Sequence, residues 1–296
     1  MNAASQPSDR VTARFRNVLE HIDQHLDSDL SLERLSEIAA SSKFHFQRQF
    51  AALFGMGAFR YVQLARLKRA AYQLAFRADR SILDIALASA YESPEAFARA
   101  FKRVCGQAPS EFRIQPDWST WQDPFQPIRN VRLRHMRRAP RLEEVRIVQF
   151  AESRVATLEH RGDPNRLGES IRKFIEWRKL NRLPPSTSAT FNLLYDDPEE
   201  IDPELFRLDL CAAIDRDIPD NTMGVTMKVI PAGRCAVLRH EGSDDALGDR
   251  IRWLYSTWLP QSGETPRDFP LFMQRVRFYP DVPEHEALSE IFLPID

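Results

Sequence analysis

Arg48 and Arg99 stand 51 residues apart in a chain of 296, each six places after a serine and two before a phenylalanine. A guanidinium can donate two parallel hydrogen bonds to O6 and N7 of guanine. A glutamine such as Gln47 can pair in the same two-pronged way with adenine, and an outward phenylalanine such as Phe44 can pack on a thymine methyl. Lys43, Lys102 and Arg103 flank these positions, where cations meet backbone phosphate. A separate chemistry centres on Glu290, which alternates with Leu288 and Phe292 and so shares their side of a strand. A carboxylate in apolar company is costly without a partner. It is either a structural ion pair with Arg275 or Arg277, or the anchor of a ligand pocket. Trp253, Tyr255 and Phe272 supply aromatic surface for such a pocket, with Trp177 as a further candidate. Trp258 falls on the core stripe of its helix. Aromatic rings around a carboxylate favour cationic or amphipathic organic molecules.

Residues 42–55 and 93–106 must position the two arginines. Superposed, they coincide at five places: Ser42 with Ser93, Phe46 with Phe97, Arg48 with Arg99, Phe50 with Phe101, and Gly55 with Gly106. At about 100° per residue, Phe46, Phe50, Leu53 and Phe54 gather on one side of the first helix, as do Phe97, Phe101, Val104 and Cys105 on the second. Phe44 and Arg48, and likewise Glu95 and Arg99, lie opposite. Before each helix comes a shorter one capped by a serine, Ser31 or Ser81, with breaks at Ala40-Ser41 and Tyr91-Glu92. A short helix, a tight turn and a second helix make a helix-turn-helix. Its second helix lies in the major groove of duplex DNA. Two such units predict readout of two successive major grooves, about one helical turn apart.

Residues 10–115 resemble the DNA-binding domain of the AraC/XylS transcriptional regulators. The resemblance spans both units and the ending Tyr91-Glu-Ser-Pro-Glu-Ala-Phe-Ala-Arg-Ala-Phe-Lys-Arg followed by Gly106-Gln-Ala-Pro-Ser-Glu-Phe-Arg113. The run Lys43-Phe-His-Phe-Gln-Arg-Gln-Phe is most similar to the Rob-like branch. The resemblance implies base contacts at Phe44, Gln47 and Arg48, then at Glu95 and Arg99. That branch usually has Trp where Phe44 stands, and two glutamines where Pro94 and Glu95 stand. A different target sequence follows, with Glu95 accepting from a cytosine amine.

The formal net charge of −1 hides a split. Residues 1–115 hold 16 Lys+Arg against 12 Asp+Glu, residues 116–141 hold 6 against 2, and residues 142–296 hold 19 against 28. A basic front and an acidic rear suit a DNA-binding head joined to a sensor that does not bind DNA. The domains expected are residues 10–114 for DNA binding, a linker at 115–142, and 143–296 for effector binding. Residues 10–26 form an amphipathic helix. Residues 58–77 form a joining helix packed through Phe59, Val62, Leu67, Ala70 and Leu74, with Arg60, Arg66, Lys68 and Arg69 on its wet face. In the linker, Trp118, Trp121 and Phe125 pack against a domain, and the basic run 132–141 is a solvated tether. With no apolar run of 18 residues and no apolar core in MNAASQPSDR, neither a transmembrane helix nor a signal peptide is expected. Cys105, Cys211 and Cys235 are odd in number and lack metal spacing, so a reducing cytoplasm, no disulfides and no metal are expected.

The rear half repeats itself at an offset of 80: nine of 25 ungapped positions agree, from Arg154 with Arg234 to Arg172 with Arg252. Each copy reads as strand, helix, strand, strand, so the fold class is an all-α front domain and an α+β rear domain of two pseudo-repeated modules. The run from Phe191 to Tyr195 is matched to that from Arg275 to Tyr279, and Asp209 to Glu290. His160 and His240 recur at one strand end and read as structural caps. Residues 145–296 are similar to the GyrI-like small-molecule-binding domain, above all in the ending Glu290-Ile-Phe-Leu-Pro-Ile. The resemblance implies a ligand cleft between fused modules, with Glu290 meeting the ligand.

The function expected is a sequence-specific transcriptional regulator, partnered by double-stranded DNA, a small-molecule effector and RNA polymerase. No catalytic residues and no cofactor are expected, since no Ser-His-Asp order or phosphate loop is present. Two other readings stay open: a GyrI-like hydrolase of electrophilic small molecules using Glu290, and a protein-docking module.

Overall fold

The computed structural model describes residues 7–136 and 138–296. Residues 1–6, part of the stretch read as no signal peptide, and Arg137 of the basic run lie outside the described residues. The chain divides into two compact units, Met1–Asp117 with Trp121–Arg138, and Trp118–Thr120 with Ala139–Asp296.

The first unit is helical: α1 Pro7–Gln24, α2 Leu32–Ile38, α3 Lys43–Phe54, α4 Ala58–Phe76, α5 Ile82–Ala88, α6 Pro94–Cys105, α7 Pro109–Ile114 and α8 Gln126–His135. Serine side chains cap α2, α3, α5 and α6, each accepting from the backbone N–H three residues on. Such a cap satisfies a donor that the helix itself leaves unpaired. Gly55 and Gly106 end α3 and α6 in the left-handed conformation, at φ 70° and 76°, where a side chain would be strained. Each helix-turn-helix turns on an alanine with positive φ, Ala40 and Ala90.

Phe15 of α1 stacks on Phe46 at 5.6 Å and lies near Phe50 and Phe54 at 6.4 Å, which builds the first helix-turn-helix onto α1. Phe97, Phe101, Phe112 and Trp121 chain together beneath the second. The joining helix α4 is buried around most of its girth, as a helix surrounded by partners must be. Its wet face differs from the expected one. Phe59 is 83% exposed, while Lys68 and Arg69 are buried. Phe59 shares a stripe with Gln63 and Arg66, at i, i+4 and i+7, rather than with Val62. Arg66 donates to the carbonyls of Leu26 and Ser28, and Arg69 bonds Asp27, so these arginines clamp a loop.

The stretch expected as a linker contains α8. Its Pro127 sits at a helix start, where the missing N–H is harmless. Ile128, Val131 and Arg132 of α8 are buried. Arg132 grips the buried Asp23 of α1 with two hydrogen bonds, of 2.8 and 3.0 Å, and Tyr61 of α4 joins them.

The second unit is one eight-stranded sheet, with β1 Val145–Phe150, β2 Ser153–Arg161, β3 Thr190–Leu194, β4 Arg207–Ala213, β5 Thr226–Ile230, β6 Gly233–Glu241, β7 Leu271–Arg277 and β8 Leu288–Pro294. The order is β1-β6-β8-β7-β3-β4-β2-β5, and every pairing is antiparallel. The modules are β2-α9-β3-β4 and β6-α10-β7-β8, with α9 Leu167–Leu180 and α10 Leu247–Trp253. After α10 a π-helical stretch, Leu254–Trp258, leads into α11 Leu259–Ser262.

Connection lengths dictate the shape of the sheet. β1 and β2 are joined by residues 151–152 and β5 and β6 by 231–232, yet each pair stands six places apart in the order. Flat, that separation is about 29 Å, and a two-residue link spans roughly 11 Å at most. The sheet therefore rolls up. One face turns inward, where Val155, Phe191, Cys211 and Ile230 of the first half meet Val237, Phe272 and Phe292 of the second. The other face turns outward and is covered by α9 over the first half and by α10 with the π-helical stretch over the second.

Candidate functional site

The first candidate surface is the outward side of α3 and α6. Burying Phe46 and Phe50 of α3, and Phe97 and Phe101 of α6, sends the opposite side of each helix to solvent. Phe44 is 86% exposed, and Gln47, Arg48, Glu95, Arg99, Lys102 and Arg103 are exposed as well. Lys43 is exposed and ion-paired with Glu33 of α2. Glu95 lies in the first turn of α6, where the bonds it accepts from its own backbone N–H and from Ser93, and then Arg99, hold its carboxyl below the usual range. It stays an acceptor at neutral pH, as a contact with a cytosine amine requires. Phe59, expected to pack the joining helix, instead adds a second exposed ring at the start of α4.

The second candidate surface is the inward face of the rolled sheet. Register puts Glu290 on it, two residues before Phe292 and opposite Arg239 of β6 and Gln274 of β7. Phe272 stacks on Phe292 with ring centroids 4.9 Å apart, and Phe150 packs against both. Glu290 is bonded at 3.1 Å to Arg146 of β1, not to Arg275 or Arg277. Arg275 pairs with Asp244, and Arg277 donates to the carbonyl of Glu286.

Asp209 occupies the corresponding inward position of the first half, and its surroundings differ. It accepts from the Tyr195 hydroxyl and from Lys228 of β5, both at 2.8 Å, and Lys228 also reaches Glu159 at 2.6 Å. Burial and then the bond to Asp209 push the Tyr195 phenol up to about 12. Burial would lower Lys228, but its bonds to Asp209 and Glu159 carry it well upward. Arg207 lies over the Tyr195 ring at 5.1 Å.

The effector residues expected from the sequence do not all converge. Glu290 and Phe272 share the inward face. Trp177 is buried on the outward face, stacked on Phe174 at 5.9 Å. Trp253 packs against the outward core under α10, and Tyr255 on the π-helical stretch is exposed. A helical position cannot reach the inward face when the helix covers the outward one. The aromatic rings near Glu290 come instead from strands: Phe150, Phe272 and Phe292. Arg146, Tyr195 and Lys228 were also missed. Alternation from Glu290 reaches Phe292, but Arg146 lies 144 residues away and no local pattern signals it.

The repeat alignment changes as well. In the ladder Phe191 opposes Cys211 and Phe272 opposes Phe292, so Phe191 corresponds to Phe272 and not to Arg275. His160 and His240 are buried, and each Nε2 lies near a loop carbonyl, that of Asp163 at 3.3 Å and that of Ser243 at 3.0 Å. Burial holds both imidazoles below their ordinary value. The three cysteines are unpaired. Among the described residues no helix is long and apolar enough to cross a membrane, and no cluster of His, Cys, Asp and Glu can hold a metal ion.

Comparison with known proteins bears on both surfaces. Residues 143–296 match the family described as GyrI-like small molecule binding domain, and residues 35–115 match a helix-turn-helix domain family. Over 153 residues the chain is 37% identical to the probable transcriptional regulator YgiV of Escherichia coli K12, covering 51% of this chain and 96% of YgiV. Over 107 residues it is 38% identical to the right origin-binding protein of the same organism, covering 36% of this chain and 37% of that protein. Among solved structures, the C-terminal domain of EcmrR is similar at 18% identity and a TM-score of 0.43, covering 51% of this chain and 96% of that one.

Proposed function

The chain belongs to the GyrI-like small-molecule-binding family, and from that membership we propose that its rear domain takes an organic cation at Glu290 and passes the event to its DNA-reading head. It is a DNA-binding regulator that carries a ligand-binding domain. The division of labour follows residues 10–114 for DNA and 143–296 for the effector. In the head, α3 and α6 enter successive major grooves, with Phe44, Gln47, Arg48, Glu95 and Arg99 at base edges and Lys43, Lys102 and Arg103 at phosphates. RNA polymerase is the partner on which a duplex-bound regulator of this kind acts.

One observation carries the head's assignment. Two helices with matching caps and buried phenylalanines leave an arginine exposed at the same position. Folding has no use for such a pair, and groove reading does. For the rear domain the supporting observation is Glu290 on an inward face where the partly exposed Phe150 packs on the buried Phe272 and Phe292. A cation beside such a ring gains from its negative face. An effector changes DNA affinity only by binding two states of the protein unequally.

The test is duplex binding by the full chain at several salt concentrations, with and without tetraphenylphosphonium, in wild type and Glu290→Gln. The reading predicts salt-dependent binding that the cation changes in wild type and leaves unchanged in the variant. An equal response of both proteins would remove Glu290 from the scheme.

A further inference from the structure

Arg146 already holds Glu290. We propose that Arg146 is a built-in competitor for the effector: its guanidinium occupies the carboxylate that an organic cation needs, and the cation enters by displacing it. The inference rests on the reading of Glu290 as the effector's anion.

The contact is single, from Arg146 Nη2 to Glu290 Oε1 at 3.1 Å, and its partners are 63% and 27% exposed. An ion pair that wet is screened and worth a factor of about 5 or less, so a ligand can break it. Arg146 lies on β1, which ends the sheet and pairs on one side only. Its side chain can swing into water without disturbing a ladder hydrogen bond. Directly across from Glu290 is Arg239, but that guanidinium is turned to Glu241, at 2.7 and 3.0 Å.

The duplicated half provides an internal control. There Asp209 is only 3% exposed and is held by Lys228 and Tyr195 together, while Lys228 is tied a second time to Glu159. That acid is sealed and its cation cannot leave cheaply. At the offset of 80, Lys228 corresponds to Val148, Glu159 to Arg239 and Arg146 to Thr226. The second half thus lacks the locking lysine and carries instead a long, exposed arginine from a different place. One acid of the pair became structural; the other kept a removable cap.

The displacing ligand must offer more than a positive charge, because Arg146 already offers that. Beside Glu290 lie the buried Phe292 and Phe272, and the partly exposed Phe150 that packs against both supplies accessible ring surface. A bulky lipophilic cation gains aromatic contact that guanidinium and simple inorganic cations do not. The cap therefore selects by size and apolarity against abundant small cations.

Titration calorimetry of the full chain with tetraphenylphosphonium tests this, with triphenylphosphine oxide as the neutral control. The proteins compared are wild type, Arg146→Ala, Arg146→Gln, Glu290→Gln and the Arg146→Ala/Glu290→Gln double variant. Removing the competitor should tighten cation binding about 2- to 5-fold in both Arg146 variants. It should leave the neutral control unchanged and have no effect once Glu290 is gone. Arg146→Gln keeps most of the side chain, so it guards against a packing artefact in Arg146→Ala. If the Arg146 variants bind the cation no tighter than wild type while Glu290→Gln weakens it, the competitor proposal fails and the Glu290 reading stands. If Glu290→Gln binds as wild type does, both fail. An absence of binding by wild type and both Arg146 variants overturns the proposal too.

Discussion

At the residue scale, Phe44 and Arg48 sit on the side of α3 that its other phenylalanines turn from the core, and Arg99 repeats the arrangement on α6. Groove readers should respond differently from phosphate contacts. Arg48→Ala and Arg99→Ala should each weaken specific duplex binding by about 1–3 kcal/mol and relax selectivity at their own bases. Lys102→Ala should instead weaken all duplexes alike and reduce the slope of log affinity against log salt by about 1. Fluorescence anisotropy on specific and random duplexes separates the two. The exposure of these side chains was legible in the sequence because a helix wheel needs only local spacing. Arg146 was not, since its bond to Glu290 depends on how distant strands pair in the sheet.

At the element scale, α8 shows what a local pattern hides. Pro127 and a crowd of arginines suggested a tether, but the stripe of Ile128, Val131 and Arg132 is helical, and Arg132 is the partner of a buried aspartate. Arg132→Ala would strand Asp23 in the core. It should destabilise the first unit by about 3–5 kcal/mol, read by thermal or urea unfolding. A change below 1 kcal/mol would show that Asp23 does not depend on this pair. The helix-turn-helix breaks make a smaller prediction. Ala40 and Ala90 hold positive φ, where a Cβ costs energy that glycine avoids. Ala40→Gly should therefore stabilise slightly, by up to about 1 kcal/mol, unless unfolded-chain entropy offsets the gain. The same logic of direction explains Trp177 and Trp253: α9 and α10 cover the outward face, so a wheel reading could rank their side chains but not say which face of the sheet the helix would meet.

For the whole molecule, the repeat at 80 gave two modules but not their closure into one rolled sheet. That closure is written in the two short links and in the crossing of β1 and β5 to the opposite modules. His160 and His240 lie buried on the outward face at corresponding loops, and burial holds each imidazole below its ordinary value of 6.5. An unfolded chain takes up protons there near pH 6.5, while the folded chain resists until lower pH. Stability from these groups is full above that value and lost as pH falls below it. The Tm of the full chain should decline from pH 7 to 5, and less so in a His160→Gln/His240→Gln variant. An unchanged slope in the variant would assign the decline elsewhere.

If one chain reads two neighbouring grooves with two matched helices, each helix must own a separate stretch of the operator. Selection of bound duplexes from a random pool, by wild type, Arg48→Ala and Arg99→Ala, reads this out. Two blocks of sequence preference centred about 10 base pairs apart should emerge, with each variant erasing preference within a different block. A single block, or two variants that erode the same block, would contradict two-groove reading.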